Sequence, residues 1–134
     1  MAHTTESPAV TGSSDAFLLG VRIMATLSLL VLLAQFVTAG RLVVGVGGEE
    51  LHATGAIVLH VTTGLVMLAA AAGWWLRGHP LWPTVLATVV FVLSFVQAYA
   101  GSHGLILVHV PGAMILTVGT AVLTVWSFRP SVGR

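Results

Sequence analysis

The 134-residue chain is 57% hydrophobic and only 7% charged, with a net charge of +1 and no cysteine or lysine. Soluble domains carry about 25% charged residues, so this is the composition of a chain immersed in lipid, and its near-neutral balance offers no patch for neutralising nucleic-acid phosphates. The missing cysteines exclude disulfide frameworks, zinc–thiolate centres, iron–sulfur clusters and cysteine nucleophiles, which leaves six histidines as the main source of chemistry.

Residues 1–15 are polar and Ser/Thr-rich without apolar periodicity, which predicts a disordered tail. The tail has no basic n-region, and the apolar run behind it is too long for a cleaved signal peptide. Four apolar runs follow, at about 18–40, 51–76, 81–101 and 105–128. Each is long enough to cross the hydrocarbon, which takes about 20 residues. The connectors RLVVGVGGEE, RGHP and SHG are short and rich in breakers, so consecutive helices must be antiparallel neighbours. The predicted fold is all-α: an integral membrane four-helix up-down bundle occupying residues 16–134.

Arginine sets the expected orientation. With four spans, Arg22, Arg77, Arg129 and Arg134 share one side, whereas Arg41 stands on the other with Glu49 and Glu50. The positive-inside rule therefore puts both termini in the cytoplasm. Trp74, Trp75, Trp82 and Trp126 fall at the same ends of their spans, where an aromatic belt sits.

An internal repeat distinguishes two histidines from the rest. Leu51-His52-Ala53-Thr54-Gly55-Ala56-Ile57-Val58-Leu59 matches Val108-His109-Val110-Pro111-Gly112-Ala113-Met114-Ile115-Leu116, with His109 standing 57 residues after His52. Upstream, Gln35 to Gly40 matches Gln97 to Gly101 more loosely. The chain thus reads as two tandem helix hairpins related by a pseudo-twofold axis along the membrane normal. Spans 2 and 4 then run parallel, with His52 and His109 at similar depth near the outer face. Histidine in a membrane span is costly and marks function. Two imidazoles from opposing helices suit the axial positions of a heme iron, with heme b as the expected cofactor.

The neighbouring residues have two readings each. Gly55 and Gly112, one turn further on, leave room for a porphyrin or permit close helix packing. Arg41 is a propionate partner or an interfacial anchor, and His103 on the outer connector is a second propionate contact. His60 lies eight residues beyond His52, about 12 Å deeper and turned roughly 80° around the helix. Its repeat counterpart is Thr117, so it is a less favoured metal ligand, a proton relay or a buried hydrogen bonder. His3 and His79 are assigned no role.

The run from Gln35 through Gly40 and Gly45 to Glu49-Glu50-Leu51-His52, with Gln97, Gly101 and His109, resembles one four-helix half of the heme A synthase family. The resemblance implies that histidines on the second and fourth helices face one heme. It also implies a catalytic role for the acidic residue three positions before the first of them, which here is Glu49. The chain departs from that family in having one half instead of two and no cysteine pair. Ala53 also stands where an arginine often follows the first ligand.

The leading expectation is a heme b-binding membrane protein with bis-histidine ligation, for electron transfer or heme handling at the outer face of a cytoplasmic-type membrane. The alternatives are a heme-modifying enzyme using Glu49, and a non-heme structural or assembly subunit. A copper site from His52, His60, His109 and Met114 is a further, weaker reading. Expected partners are the lipid bilayer, heme, and a membrane redox partner or a second copy of the chain; a homodimer would restore eight helices.

Overall fold

The computed structural model describes residues 15–129, so all but Asp15 of the tail expected over 1–15, His3 included, lies outside the described residues, as does Arg134. Four helices follow one another, α1 (Ala16–Val43), α2 (Glu49–Arg77), α3 (Leu81–Ser102) and α4 (Ile106–Phe128), and all four are long and apolar enough to cross a membrane. They form a square in which α1 and α3 each pack against both α2 and α4. The diagonal pairs, α1 with α3 and α2 with α4, make no close backbone approach.

Buried positions recur every three or four residues, as one stripe of each helix requires. On α1 they are Val21, Ala25, Ser28 and Leu32; on α4 they run from Leu116 to Ser127. The opposite faces, with Leu30, Val37, Ile57, Leu68, Val92 and Val118, are exposed and apolar, suited to lipid contact. Several hydroxyls inside the bundle are satisfied on their own helices: Ser28 donates to the Met24 carbonyl, Thr63 to Leu59 and Thr120 to Leu116, at 2.7–2.8 Å. On α2 burial begins at Leu59 and on α4 at Leu116, so the packed core fills the half of the bundle nearer the chain termini. The other half is hollow.

Both ends of the bundle show why the helices stop where they do. The α1–α2 connector shrinks to residues 44–48, because Arg41 belongs to the last turn of α1 and Glu49 and Glu50 form the first turn of α2. These charges complement the helix dipoles, which extends both helices beyond the apolar runs. Gly45, Gly47 and Gly48 have φ of 72°, 78° and 121°, a left-handed turn that residues with a Cβ seldom adopt. At the other end, Gly78 closes α2 with paired bonds from the Gly78 and His79 amides to the Trp74 and Gly73 carbonyls.

The terminal end is tied by two contacts that composition does not reveal. Arg22 donates from Nε and Nη2 to the Ser127 carbonyl, at 3.3 and 2.8 Å, and lies over the Phe128 ring. Asp15, placed in the tail by sequence, is instead the N-cap of α1, accepting from the Phe17 and Leu18 amides. Its second carboxylate oxygen meets His79 Nε2, so a histidine with no predicted role fastens the α2–α3 link to the start of α1.

Candidate functional site

The hollow half of the bundle holds a cavity of about 810 Å³, walled by all four helices. Its wall is mainly aliphatic and alanine-rich, with His52, His60, His109, Gln35, Gln97, Ser94 and Glu49 among the polar exceptions. His52 from α2 and His109 from α4 face each other across the diagonal, their ring centroids 6.3 Å apart and their planes inclined at 66°. The repeat and the parallel course of the two helices predict this juxtaposition.

The hydrogen bonds of the two rings define their chemistry. His109 Nδ1 lies 2.9 Å from the backbone carbonyl of Gln97, which can only accept, so Nδ1 carries the proton. His52 Nδ1 lies 2.9 Å from Thr38 Oγ1, and Thr38 donates its own proton to the Gln35 carbonyl at 3.0 Å. Thr38 Oγ1 also lies 3.2 Å from Gln35 Oε1, so its own helix offers two acceptors for its proton and its lone pair is open to accept from His52 Nδ1–H. Both imidazoles are thus held in the same tautomer by the neighbouring helix of their own hairpin, with the lone pair on Nε2. Neither Nε2 has a hydrogen-bond partner among the described residues. Nδ1–H anchored to an oxygen acceptor, with Nε2 left bare, is the usual arrangement of a metal-binding histidine.

Glutamine and glycine build the frame around the pair. Gln35 donates from Nε2 to the His52 carbonyl at 2.9 Å and lies over Gly55, where a Cβ would stand 2.7 Å from its Oε1. Gln97 lies over Gly112 in the same way, and a Cβ at Gly112 would overlap its amide. The room that sequence reading offers to a porphyrin at Gly55 and Gly112 is therefore taken by two glutamine side chains. Gly101 has a related part: a Cβ there would stand 2.9 Å from the His109 ring, so this glycine lets the imidazole lie against α3. The repeat holds at the level of glutamine over glycine and breaks at the anchors, a threonine hydroxyl for His52 and a backbone carbonyl for His109.

The remaining candidates are dispersed. Glu49 is exposed but borders the cavity, one turn before His52. Arg41 is exposed and donates to the Val46 carbonyl at 3.3 Å, outside the cavity wall. His103 is also exposed, stacked on Tyr99 and bonded through Nδ1 to the Tyr99 carbonyl at 2.9 Å. Neither is brought to the histidine pair. His60 borders the cavity through a hydrogen bond from Nδ1 to Ser94 Oγ, at 2.8 Å. Among the described residues no three His, Asp or Glu side chains converge as a metal site would require, which removes the copper grouping.

Thr38 is the site residue that sequence reading missed, whereas Gln35, Gln97 and Gly101 stand out there only as motif positions without an assigned role. Thr38 stands three residues after Gln35, where the second repeat has Ala100 three after Gln97, so comparing repeats hides it. Comparison with family models, curated proteins and solved structures finds no match. The geometry of the cavity therefore carries the functional argument unaided.

Proposed function

We propose that the chain is an integral membrane heme protein in which Nε2 of His52 and Nε2 of His109 are the axial ligands of one b-type heme. The carrying observation is the pair itself: two like-tautomer imidazoles from diagonal helices, 6.3 Å between centroids, with both Nε2 atoms bare. Two imidazoles on opposite sides of one metal ion, with metal–nitrogen bonds of about 2.0–2.1 Å, have centroids roughly 6 Å apart. Two imidazoles with no third His, Asp or Glu donor among the described residues fit a metal whose other positions are filled by a macrocycle. The apolar cavity is of the size that cofactor sites have, about 300–1,000 Å³. With His52 and His109 holding it, a heme there would supply one-electron redox chemistry, suited to electron transfer.

The chain's own residues perform the holding. Thr38 and the Gln97 carbonyl fix the tautomers and raise the basicity of the ligating nitrogens. The arginine and tryptophan distribution supports termini in the cytoplasm, and hence a site near the outer face. The experiment is a heme titration of the detergent-purified protein. Wild type is expected to give a low-spin spectrum with a sharp Soret band at one heme per chain, and His52→Ala or His109→Ala to lose it. A wild type with no Soret shift overturns the reading.

The position of Glu49 on the cavity rim supports a second reading, a heme-modifying enzyme with this carboxylate handling protons. Porphyrins extracted from cells with and without the gene separate the two. A changed porphyrin that reverts with Glu49→Gln favours the enzyme; an unchanged composition favours the carrier.

A further inference from the structure

His60 is the one cavity imidazole that the heme reading leaves unused. Ser94 donates its hydroxyl proton to the Phe91 carbonyl at 2.6 Å, so its oxygen accepts from His60 Nδ1–H at 2.8 Å. Nε2 of His60 is therefore a neutral lone-pair acceptor, without a hydrogen-bond partner among the described residues. The ring lies flat on Phe95, with centroids 4.1 Å apart and planes within 7°.

The surroundings define what that acceptor meets. One turn below, α2 and α3 close tightly, the Phe91 ring standing 3.1 Å from where a Cβ at Gly64 would be. Above that closure the cavity wall is made of small and aliphatic residues, Ala56, Ile57 and Ala98. Ile57 is 64% exposed and the supporting Phe95 48% exposed, so the lobe opens sideways onto the lipid-facing surface between α2 and α3. Among the described residues the only charged one in the cavity wall is Glu49, about three turns away along α2. A phospholipid head group would find no cation here. A ligand for this lobe must arrive through the hydrocarbon and present a hydroxyl donor to Nε2.

From this geometry we infer that the lobe at His60 binds the head group of a membrane quinol. The acceptor character of Nε2 adds a redox preference. A quinol offers an O–H, whereas the oxidised quinone offers only carbonyl oxygens, which face the imidazole lone pair unfavourably. A site built to accept a hydrogen bond discriminates strongly against an analogue that lacks the donor.

The test is anaerobic equilibrium binding of ubiquinol-1, menaquinol-1 and their oxidised forms to the full-length protein in detergent, without added heme and again with it. Wild type should bind at least one quinol about tenfold or more tighter than the matching quinone. His60→Phe keeps the stacking on Phe95, and it should lose the preference by weakening quinol binding at least about tenfold while quinone binding stays nearly constant. Ser94→Ala should weaken the preference, and Thr117→Ala, at the repeat-related position, should leave it intact. Equal affinity for both redox forms, equal quinol affinity in His60→Phe, binding of neither quinol, or full displacement by a sterol overturns the inference. Because binding is read without heme, a chain that takes quinol but no heme overturns only the heme reading, and the converse result overturns only this one.

Discussion

Thr38 decides which nitrogen of His52 carries the proton, and it does so from another helix. Its hydroxyl proton has acceptors on its own helix in the Gln35 carbonyl and Gln35 Oε1, which leaves its lone pair for the ring. Thr38→Val removes that acceptor at nearly constant volume and frees the tautomer. Heme affinity should fall by about 10- to 100-fold, measured by competition with a heme-binding protein of known affinity, while thermal stability changes little. His109 has no equivalent side chain to mutate, because its anchor is a backbone carbonyl. At this scale the sequence was legible only where chemistry repeats. His52 and His109 are visible because they recur in register. The Gln97 carbonyl carries no side-chain signal, and Thr38 is masked by Ala100 in the second repeat.

Helix pairs are held in register by the glutamine-over-glycine contacts, one per hairpin. Gly112→Ala and Gly55→Ala each force a methyl group into a glutamine amide, and each should cost about 1–3 kcal/mol. Calorimetric or chemical unfolding in detergent should show Gly112→Ala partly rescued by Gln97→Ala, a non-additivity that separates direct overlap from general helix effects. The N-terminus of α1 depends on Asp15. Burial alone would raise its pKa, but the Leu18 amide, His79 and the Phe17 amide outweigh this and hold the carboxyl below its ordinary 3.8. A depressed folded pKa stabilises above the unfolded value and is lost as the pH falls through the folded one. The difference in thermal midpoint between wild type and Asp15→Asn should therefore be present at neutral pH and shrink progressively as the pH falls below the ordinary carboxyl value of 3.8. The four apolar runs locate the helices closely, since lipid-facing and core residues are both apolar and leave long uninterrupted signals. Hydropathy misses the helix ends: Arg41, Glu49 and Glu50 interrupt the apolar runs yet are helical, because charge at a helix terminus complements the dipole.

The distribution of charge and aromatic rings over the whole bundle yields a topology that can be checked directly. The chain contains no cysteine, so single cysteines report without background. A cysteine at Val46, in the α1–α2 turn, should be labelled by an impermeant maleimide from outside intact cells. One at Pro80 should be labelled only after the membrane is opened. The reverse pattern would invert the bundle and place the histidine pair on the cytoplasmic side. The fold was accessible from sequence because it rests on composition summed over long segments; the hollow half was not, since cavities depend on which faces meet. The diagonal placement of α2 and α4 has one more consequence. Each hairpin contributes a single imidazole, so each is half of the facing pair, and two copies of one hairpin about a twofold axis would complete it. Joining the halves through residues 78–80 creates no new imidazole. What the join permits is divergence: once the halves are no longer obliged to be identical, one can carry Thr38 and His60 while the other carries Ala100 and Thr117. In a symmetric assembly any second site would have come in duplicate. In the fused chain it comes once, on one flank.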